Sequence, residues 1–256
     1  MAELVTNNIT KQFDGKTVLH NISIQVHDNE LVCLLGVSGA GKTTLFNVIS
    51  GLLKPEEGSV SLNGIDITGK TGYISYMLQK DLLLPYKTVL DNVALPLRLQ
   101  GVKKQQAREK AEPYFKEFGL EGTQRKYPMQ LSGGMRQRAA LLRTYLFSKV
   151  KQEEGVGGGV ALLDEPFSAL DTITKHAIHS WYLDVMQHIH LSTIFITHDI
   201  DEAILLSDRI YLLTGQPGEI TAEISIKEPK PRRSDFHLTK EFLEYKKKII
   251  EKLGTM

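Results

Sequence analysis

The chain has 256 residues, a length that carries one large or two small domains around a sizeable hydrophobic core. Lysine and arginine number 31 against 30 acidic residues, a formal charge of +1, and the 24% charged and 41% hydrophobic fractions are those of an ordinary globular protein, which argues against a dedicated DNA binder. No uninterrupted apolar stretch approaches the roughly 18 residues that a membrane-spanning helix needs, so the chain is not expected to cross a bilayer by itself. Met1 to Asn8 lacks the basic head and apolar run of a secretory signal, which predicts residence in the cytoplasm. The single cysteine, Cys33, lies in the apolar run Leu31 to Leu35 and reads as a buried strand residue.

The opening segment alternates in the strand manner, with Ile22, Ile24 and Val26 on one face, and predicts a hairpin or small antiparallel sheet. Leu31 to Leu35 is continuously apolar and runs into a glycine-rich turn, as suits a strand covered on both faces in a parallel sheet. Thr43 to Ser50 is the helix expected after it. Lys54 to Gly58 reads as a turn, and Ser59 to Leu62 with Asn63-Gly64 as a strand entering a tight hairpin. From Thr88 to Arg125, leucine, alanine and long polar residues with few β-branched ones predict a helical insertion. After Leu131 comes a helix carrying Arg136, Arg138 and Arg143, then a linker from Lys149 to Gly159 that ends in a flexible glycine run.

Val160 to Leu163 and Thr193 to Thr197 are apolar strands flanking a helix around Lys175 to Ile189, the order of a parallel sheet. In the last segment, from Lys227 to Met256, Leu238, Phe242, Tyr245, Ile249 and Leu253 fall at helical spacing. They predict an amphipathic helix, docked on its own domain or turned to a partner or acidic lipid. Within it Lys246-Lys247-Lys248 reads as a solvated face, with anionic lipid as the alternative contact.

Gly36-Val37-Ser38-Gly39-Ala40-Gly41-Lys42-Thr43 matches the pattern G-x-x-x-x-G-K-[ST] between a predicted strand and a predicted helix. Glycines let successive backbone N–H groups curl around phosphate oxygens, and the following helix adds its positive end. Gly36, Ser38, Gly39, Ala40, Gly41, Lys42, Thr43 and Thr44 are therefore the expected nucleotide-binding residues, with Lys42 reaching the β- and γ-phosphates and the Thr43 hydroxyl on Mg²⁺. Val160 to Glu165 is an apolar strand that delivers two carboxylates at its C-terminal end, where ligands sit in open α/β sheets. Asp164 is expected to hold Mg²⁺ and Glu165 to polarise the attacking water, which points to NTP hydrolysis.

Leu131-Ser132-Gly133-Gly134-Met135-Arg136-Gln137-Arg138 resembles the signature of ATP-binding cassette (ABC) proteins, and the surrounding elements agree with that family in order and spacing. Gln79 is similar to its Q-loop glutamine, Ser168-Ala169-Leu170-Asp171 to its D-loop, and His198 to its switch histidine, while Phe13 stands where an aromatic stacks on adenine. The resemblance covers roughly residues 3–225. It implies an α/β fold, a P-loop NTPase (RecA-like) core with an antiparallel β subdomain and an inserted α-helical signature subdomain. The nucleotide-binding domain would span about residues 1–226, with the helical part at about 86–145 and a helical extension over 227–256.

The resemblance further implies catalytic roles for Gln79 and His198 beside Glu165 and Lys42, and a place for Gln79 on Mg²⁺ beside Thr43 and Asp164. ATP and Mg²⁺ are the cofactors expected. The cassettes would form a head-to-tail homodimer, in which ATP on the phosphate loop of one is capped by Ser132, Gly133 and Gly134 of the other; backbone N–H groups and a hydroxyl at a helix N-terminus suit a γ-phosphate.

Within the family, Gln79 to Val93 resembles the nitrate, sulfonate and taurine importer cassettes, a group that includes those for pyrimidine precursors of thiamine. That places Leu82 to Tyr86 at a groove receiving cytoplasmic helices of a membrane subunit, with an ordinary apolar helix start as the alternative. Met135 stands where glutamine is commonest, Tyr86 where tryptophan is frequent, Thr144-Tyr145 where Ala-Arg is usual, and the linker at Gly155 to Gly159 is longer than usual. Phe13 has no hydroxyl, so selectivity for adenine would rest on shape.

The function expected is that of the ATP-hydrolysing energy-coupling subunit of a bacterial importer for a small organic or inorganic nutrient. It would sit at the cytoplasmic face of the inner membrane with a polytopic permease and, indirectly, an extracytoplasmic solute-binding protein, and no nucleic acid is expected. The alternative is a soluble ABC ATPase in a non-transport role, although the long coiled-coil or zinc insertions of repair ATPases and the double cassette of ribosome-associated ones are missing from this sequence. His176 with His179, and His188 with His190, carry a spacing too weak to predict a further metal site.

Overall fold

The computed structural model describes residues 3–153, 155, 159–168, 172–189, 191–230, 232–233 and 235–254, and within the helix that begins at 172 the side chains from 179 onward apart from 187. Strands β1 (Leu4–Phe13) and β2 (Lys16–Val26) form the expected antiparallel hairpin, and β3 (Leu31–Leu35) leads into helix α1 (Lys42–Ile49). Next come β4 (Glu57–Leu62) and β5 (Ile65–Asp66), joined by Asn63 and Gly64, both with positive φ (54° and 77°), as a two-residue type I′ turn requires. The sequence assigns Lys54 to Gly58 to a turn, but Glu57 and Gly58 already belong to β4. Glu57 pairs with Thr10, and at Gly58 a side chain would meet the Asn7 carbonyl at 2.4 Å.

After β6 (Ser75–Met77) the insertion is helical as predicted, broken into α2 (Val89–Val93), α3 (Leu95–Leu99), α4 (Lys104–Ala111) and α5 (Tyr114–Glu117). Thr88 caps α2 by accepting from the Asp91 amide, and Arg108 of α4 makes a two-pronged contact with the Asp91 carboxylate, both distances 2.8 Å. Helix α6 (Gly133–Glu153) follows, then β7 (Val160–Asp164), α7 (Thr172–Ile189), β8 (Ser192–Thr197), α8 (Ile200–Leu206), β9 (Arg209–Thr214), β10 (Glu219–Ser225) and α9 (Lys240–Gly254).

The first half of the expected linker from Lys149 is instead the last turn of α6. Ser148 is buried against Ser75 (2.6 Å) and Lys149 bonds the Tyr114 hydroxyl, so tertiary contacts carry the helix on to Glu153. Of the glycine run itself, residues 156–158 lie outside the described residues.

The strands form two sheets. One is antiparallel, in the order β2-β1-β4-β5, and the other has the order β10-β9-β3-β8-β7-β6, parallel except for β10. Alternation along the central strands divides the core. Val32, Leu34, Val160, Leu162, Ile194 and Ile196 face α1 and the antiparallel sheet, whereas Leu31, Cys33, Leu35, Ala161, Leu163 and Phe195 face the other helices. Cys33 is fully buried, as its sequence context predicts, and burial pushes its thiol pKa well up.

Helix α9 docks on its own domain. Phe242 and Ile249 join the main core, Tyr245 and Leu253 pack partly against it, and Lys246 pairs with Asp201 of α8 at 2.7 Å. Leu238 departs from the expected stripe: it lies in a short 3₁₀ turn (Phe236–Leu238) before the helix, 74% exposed, because Phe236 takes the buried place. Among the described residues no helix is long and apolar enough to cross a membrane.

Candidate functional site: a phosphate-loop cavity

Four adjacent parallel strands, β6, β7, β8 and β3, deliver the site from their C-terminal ends. The loop after β3 wraps around the start of α1. Its glycines are required by geometry: Gly39 and Gly41 have φ of 83° and 93°, and a side chain on Gly36 would meet the Leu213 carbonyl at 2.2 Å. Lys42 is 8% exposed and its Nζ donates to the Gly36 and Val37 carbonyls at 2.8 and 2.9 Å, so the ammonium is folded back under its own loop. Burial lowers its pKa, opposed by the charges of Glu165 and Asp164.

Beside the loop is a cavity of about 650 Å³ whose wall includes Ser38, Gly39, Gly41, Lys42, Thr43 and Thr44 from the loop, with Gln79, Asp164, Glu165 and His198 opposite. The Thr43 hydroxyl donates to Asp164 Oδ2 at 3.3 Å, and the Tyr76 hydroxyl reaches the same oxygen at 3.4 Å. Burial pushes the Asp164 carboxyl up, the bond from Thr43 pulling against it.

Glu165 holds a left-handed backbone, φ 45°, which is costly for a residue with a long side chain and persists only where the surroundings fix it. Here they do. Its amide donates to the Ile196 carbonyl at 3.1 Å, Gln79 Nε2 donates to Oε2 at 2.9 Å, and His198 Nδ1 lies 3.1 Å from Oε1.

The comparisons with known proteins agree with this architecture. The family described as ABC transporter matches residues 19–168. The chain belongs to the ABC transporter family. The formylaminopyrimidine import ATP-binding protein ThiZ of Halalkalibacterium halodurans is 40% identical over 235 residues, covering 92% of this chain and 87% of that protein. The nitrate import ATP-binding protein NrtD of a Synechocystis strain is 35% identical, covering 96% and 93%, and the taurine import ATP-binding protein TauB of Escherichia coli is 36% identical, covering 87% and 84%. Among solved structures, a dimeric post-hydrolysis state of an ATP-binding cassette bound to ADP and Pi superposes with a TM-score of 0.70 at 28% identity, covering 88% of this chain and 99% of that one.

The ABC fold thus brings together Lys42, Thr43, Thr44, Gln79, Asp164, Glu165 and His198 at one cavity. Gly36 and Ala40 shape the loop from behind. Phe13 lies outside the cavity wall, 43% exposed at the end of β1 with the Lys11 ammonium 5.1 Å from its ring centre, and Val18 on the neighbouring strand takes the wall position instead. Ser132, Gly133 and Gly134 do not reach the cavity either; they open α6, where the Ser132 hydroxyl accepts from the Met135 amide at 3.3 Å. Of the D-loop, residues 169–171 lie outside the described residues.

Several contributors escape a reading of the sequence. Val18 and Ile196 line the cavity, and Tyr76 bonds Asp164, although only its place three residues before Gln79 signals it. Arg143 donates to the carbonyls of Asp81 and Leu82 at 2.7 and 2.9 Å, holding the segment after Gln79 against α6, with Leu82 at φ 44°. Fully buried Asn92 fastens the same segment, accepting from the Leu84 amide at 2.6 Å and donating to the Leu84, Lys87 and Thr88 carbonyls. Leu82 and Tyr86 are 52% and 72% exposed, but Leu83, between them, is 7% exposed and faces the core. The expected surface from Leu82 to Tyr86 is therefore not continuous.

Of the histidines weighed as metal ligands, His188 Nδ1 lies 2.7 Å from the Asp184 carbonyl and His179 faces Glu202. The His176 side chain and His190 lie outside what the structure describes.

Proposed function

We infer that this chain is the ATP-hydrolysing, energy-coupling subunit of an importer, working as a dimer of cassettes on a membrane permease. The observation that carries the reading is the Glu165 carboxylate held between Gln79 and His198 in the wall of the phosphate-loop cavity. The cavity suits a nucleotide: its loop is glycine-rich where backbone must approach closely, its lysine is oriented toward the loop, and its volume lies in the range of small-ligand sites.

The hard oxygen donors Thr43 and Asp164, with the Gln79 side chain opposite, would hold Mg²⁺, and Asp164 bears a buried charge that a cation would neutralise. Bound there, the ion would offset charge on the phosphate oxygens. Lys42 would release its loop carbonyls and donate to the β- and γ-phosphates. Glu165, its two oxygens anchored by Gln79 and His198, would orient the attacking water and accept its proton, while His198 would stay on the γ-phosphate side as a donor. Phe13 would pack on the adenine once nucleotide is bound.

Ser132, Gly133 and Gly134 lie away from this chain's own cavity, which supports a composite site completed by the partner cassette. ATP would hold two cassettes together, and hydrolysis would let them part. Leu82 and Tyr86, with the apolar groove of about 220 Å³ formed by Leu95, Leu99 and Phe147, form the surface for the permease, at the cytoplasmic face of the membrane. The solutes for which the relatives are named make a nitrate, sulfonate, taurine or pyrimidine-precursor type of solute the class to test first, delivered by an extracytoplasmic solute-binding protein.

The experiment is affinity purification of the tagged Glu165→Gln chain from detergent-solubilised membranes of its native cell with ATP and Mg²⁺. A stoichiometric polytopic protein by mass spectrometry is expected; recovery with soluble partners alone would overturn the importer reading.

A further inference from the structure

The two residues that hold the reacting end of the site come from different loops, Glu165 after β7 and His198 after β8, and helix α7 meets a near neighbour of each, Phe167 and Glu202. His179 of α7 is 8% exposed. On one side its ring meets the Phe167 ring edge to face, centroids 4.8 Å apart, and Phe167 lies two residues beyond Glu165, 3% exposed, with Tyr182 of the same helix packed on it at 5.4 Å. On the other side His179 Nε2 lies 3.5 Å from Glu202 Oε1, a polar contact at ion-pair distance and not a hydrogen bond. Glu202, 4% exposed on α8, accepts from the Thr197 hydroxyl at 2.7 Å through its other oxygen, and the Thr197 hydroxyl in turn accepts from the Asp199 amide at 3.0 Å. Thr197 and Asp199 are the two neighbours of His198, whose own side chain is 62% exposed.

A buried polar pair is expensive unless it is satisfied, so its place in this core calls for a role. We propose that His179 is a positioning residue, which fixes the turn carrying Glu165 and the loop carrying His198 at one separation by contacting Phe167 and Glu202 at once. The 3.1 Å contact between His198 and Glu165 is the distance it sets. Through α7, a displacement of the helix that follows the D-loop would move both loops together. The inference rests on the reading that Glu165 and His198 act in hydrolysis.

The test is steady-state ATP hydrolysis by the intact chain. His179→Leu keeps apolar bulk against Phe167 and removes the polar contact. It should lower kcat about tenfold with KM for ATP and the affinity for a non-hydrolysable ATP analogue unchanged within twofold. His179→Gln, which keeps a polar group facing Glu202, should recover at least half of the wild-type kcat. Glu202→Gln should share the defect, and the His179→Leu/Glu202→Gln pair should be no worse than either alone, as for residues acting through one contact.

A folded His179→Leu with kcat within twofold of wild type, or a Gln variant no better than the Leu variant, overturns the proposal. So does a defect that falls on KM alone. Should His179→Leu fail to give a native melting transition, Glu202→Gln decides, and a kcat within twofold of wild type rejects the idea. Glu165→Gln separates the two layers. If it abolishes turnover while His179→Leu is normal, this inference alone falls; if it leaves turnover intact, the hydrolytic reading falls and takes this one with it.

Discussion

Gln79 and Glu165, 86 residues apart in the chain, meet through a 2.9 Å hydrogen bond from the Gln79 amide to Glu165 Oε2. The bond ties the end of β6 to the end of β7, and β6 is also the strand from which the exposed segment around Leu82 and Tyr86 departs. A movement at that surface therefore has a short path, three residues of chain and one hydrogen bond, to the carboxylate proposed as base.

Glu165→Gln should reduce ATP turnover by about 10² to 10⁴, the range for removing a positioned base, while ATP still binds. Light scattering should then detect an ATP-dependent dimer that persists. Gln79→Ala, which removes an anchor rather than the base, should cost about tenfold in kcat. Near-normal turnover in Glu165→Gln with no trapped dimer would reject the assignment.

Asp164 supplies a prediction in pH. Burial raises its pKa from the usual 3.8, so near that pH the folded chain keeps a proton that the unfolded chain has lost. Stability contributed by this group therefore falls as pH rises from about 3.8 through the raised folded value, and at neutral pH the ionised carboxylate is a cost to the nucleotide-free protein. Asp164→Asn should raise the melting temperature at pH 7 by a few degrees, on the order of 1 kcal/mol, while eliminating Mg²⁺-dependent turnover. The stabilisation should shrink toward pH 4. Differential scanning calorimetry without nucleotide at both pH values measures this, and a less stable variant at pH 7 would contradict it.

These residues show how far the sequence reaches. The loop from Gly36 to Thr43 and the carboxylates at 164 and 165 are legible because phosphate binding constrains consecutive residues, and a local pattern records a local constraint. The faces of Leu31 to Leu35 are legible for the same reason, since burial on both sides leaves an uninterrupted apolar run. Tyr76, Asn92 and the His179–Glu202 pair are not. Each acts on a segment brought near by tertiary folding, and nothing in its neighbours marks it. The continuation of α6 to Glu153 escaped similarly, because Ser75 and Tyr114, which hold its last turns, are distant in sequence.

The composite site is tested by mixing inactive subunits. Lys42→Ala disables the phosphate loop and Ser132→Arg places a bulky cation at the start of α6. If each cavity is capped by the other subunit, either homodimer should be inactive, and a heterodimer of the two variants should contain one intact site and one doubly damaged site. Coupled phosphate-release assays at increasing mixing ratios should then show partial recovery, up to about half the wild-type rate per heterodimer if the sites act independently. Normal activity of either homodimer would exclude the arrangement.

The permease surface is tested by contrasting neighbours. Leu82 and Tyr86 are exposed, whereas Leu83 packs inward, so charges at these positions should have opposite consequences. Leu82→Asp and Tyr86→Asp should leave the melting temperature and the KM for ATP near wild type and reduce co-purification with the membrane subunit at least tenfold. Leu83→Asp should instead lower stability by about 2–5 kcal/mol, through lost apolar packing and a buried unpaired charge. Its loss of assembly would then say nothing about the surface. Asn92→Ala should behave partly like Leu83→Asp, because it removes the acceptor of the Leu84 amide and a donor to three carbonyls behind the same segment. Thermal melts alongside pull-downs separate the classes, and retained co-purification of the folded Leu82→Asp/Tyr86→Asp double variant would show that the permease docks elsewhere.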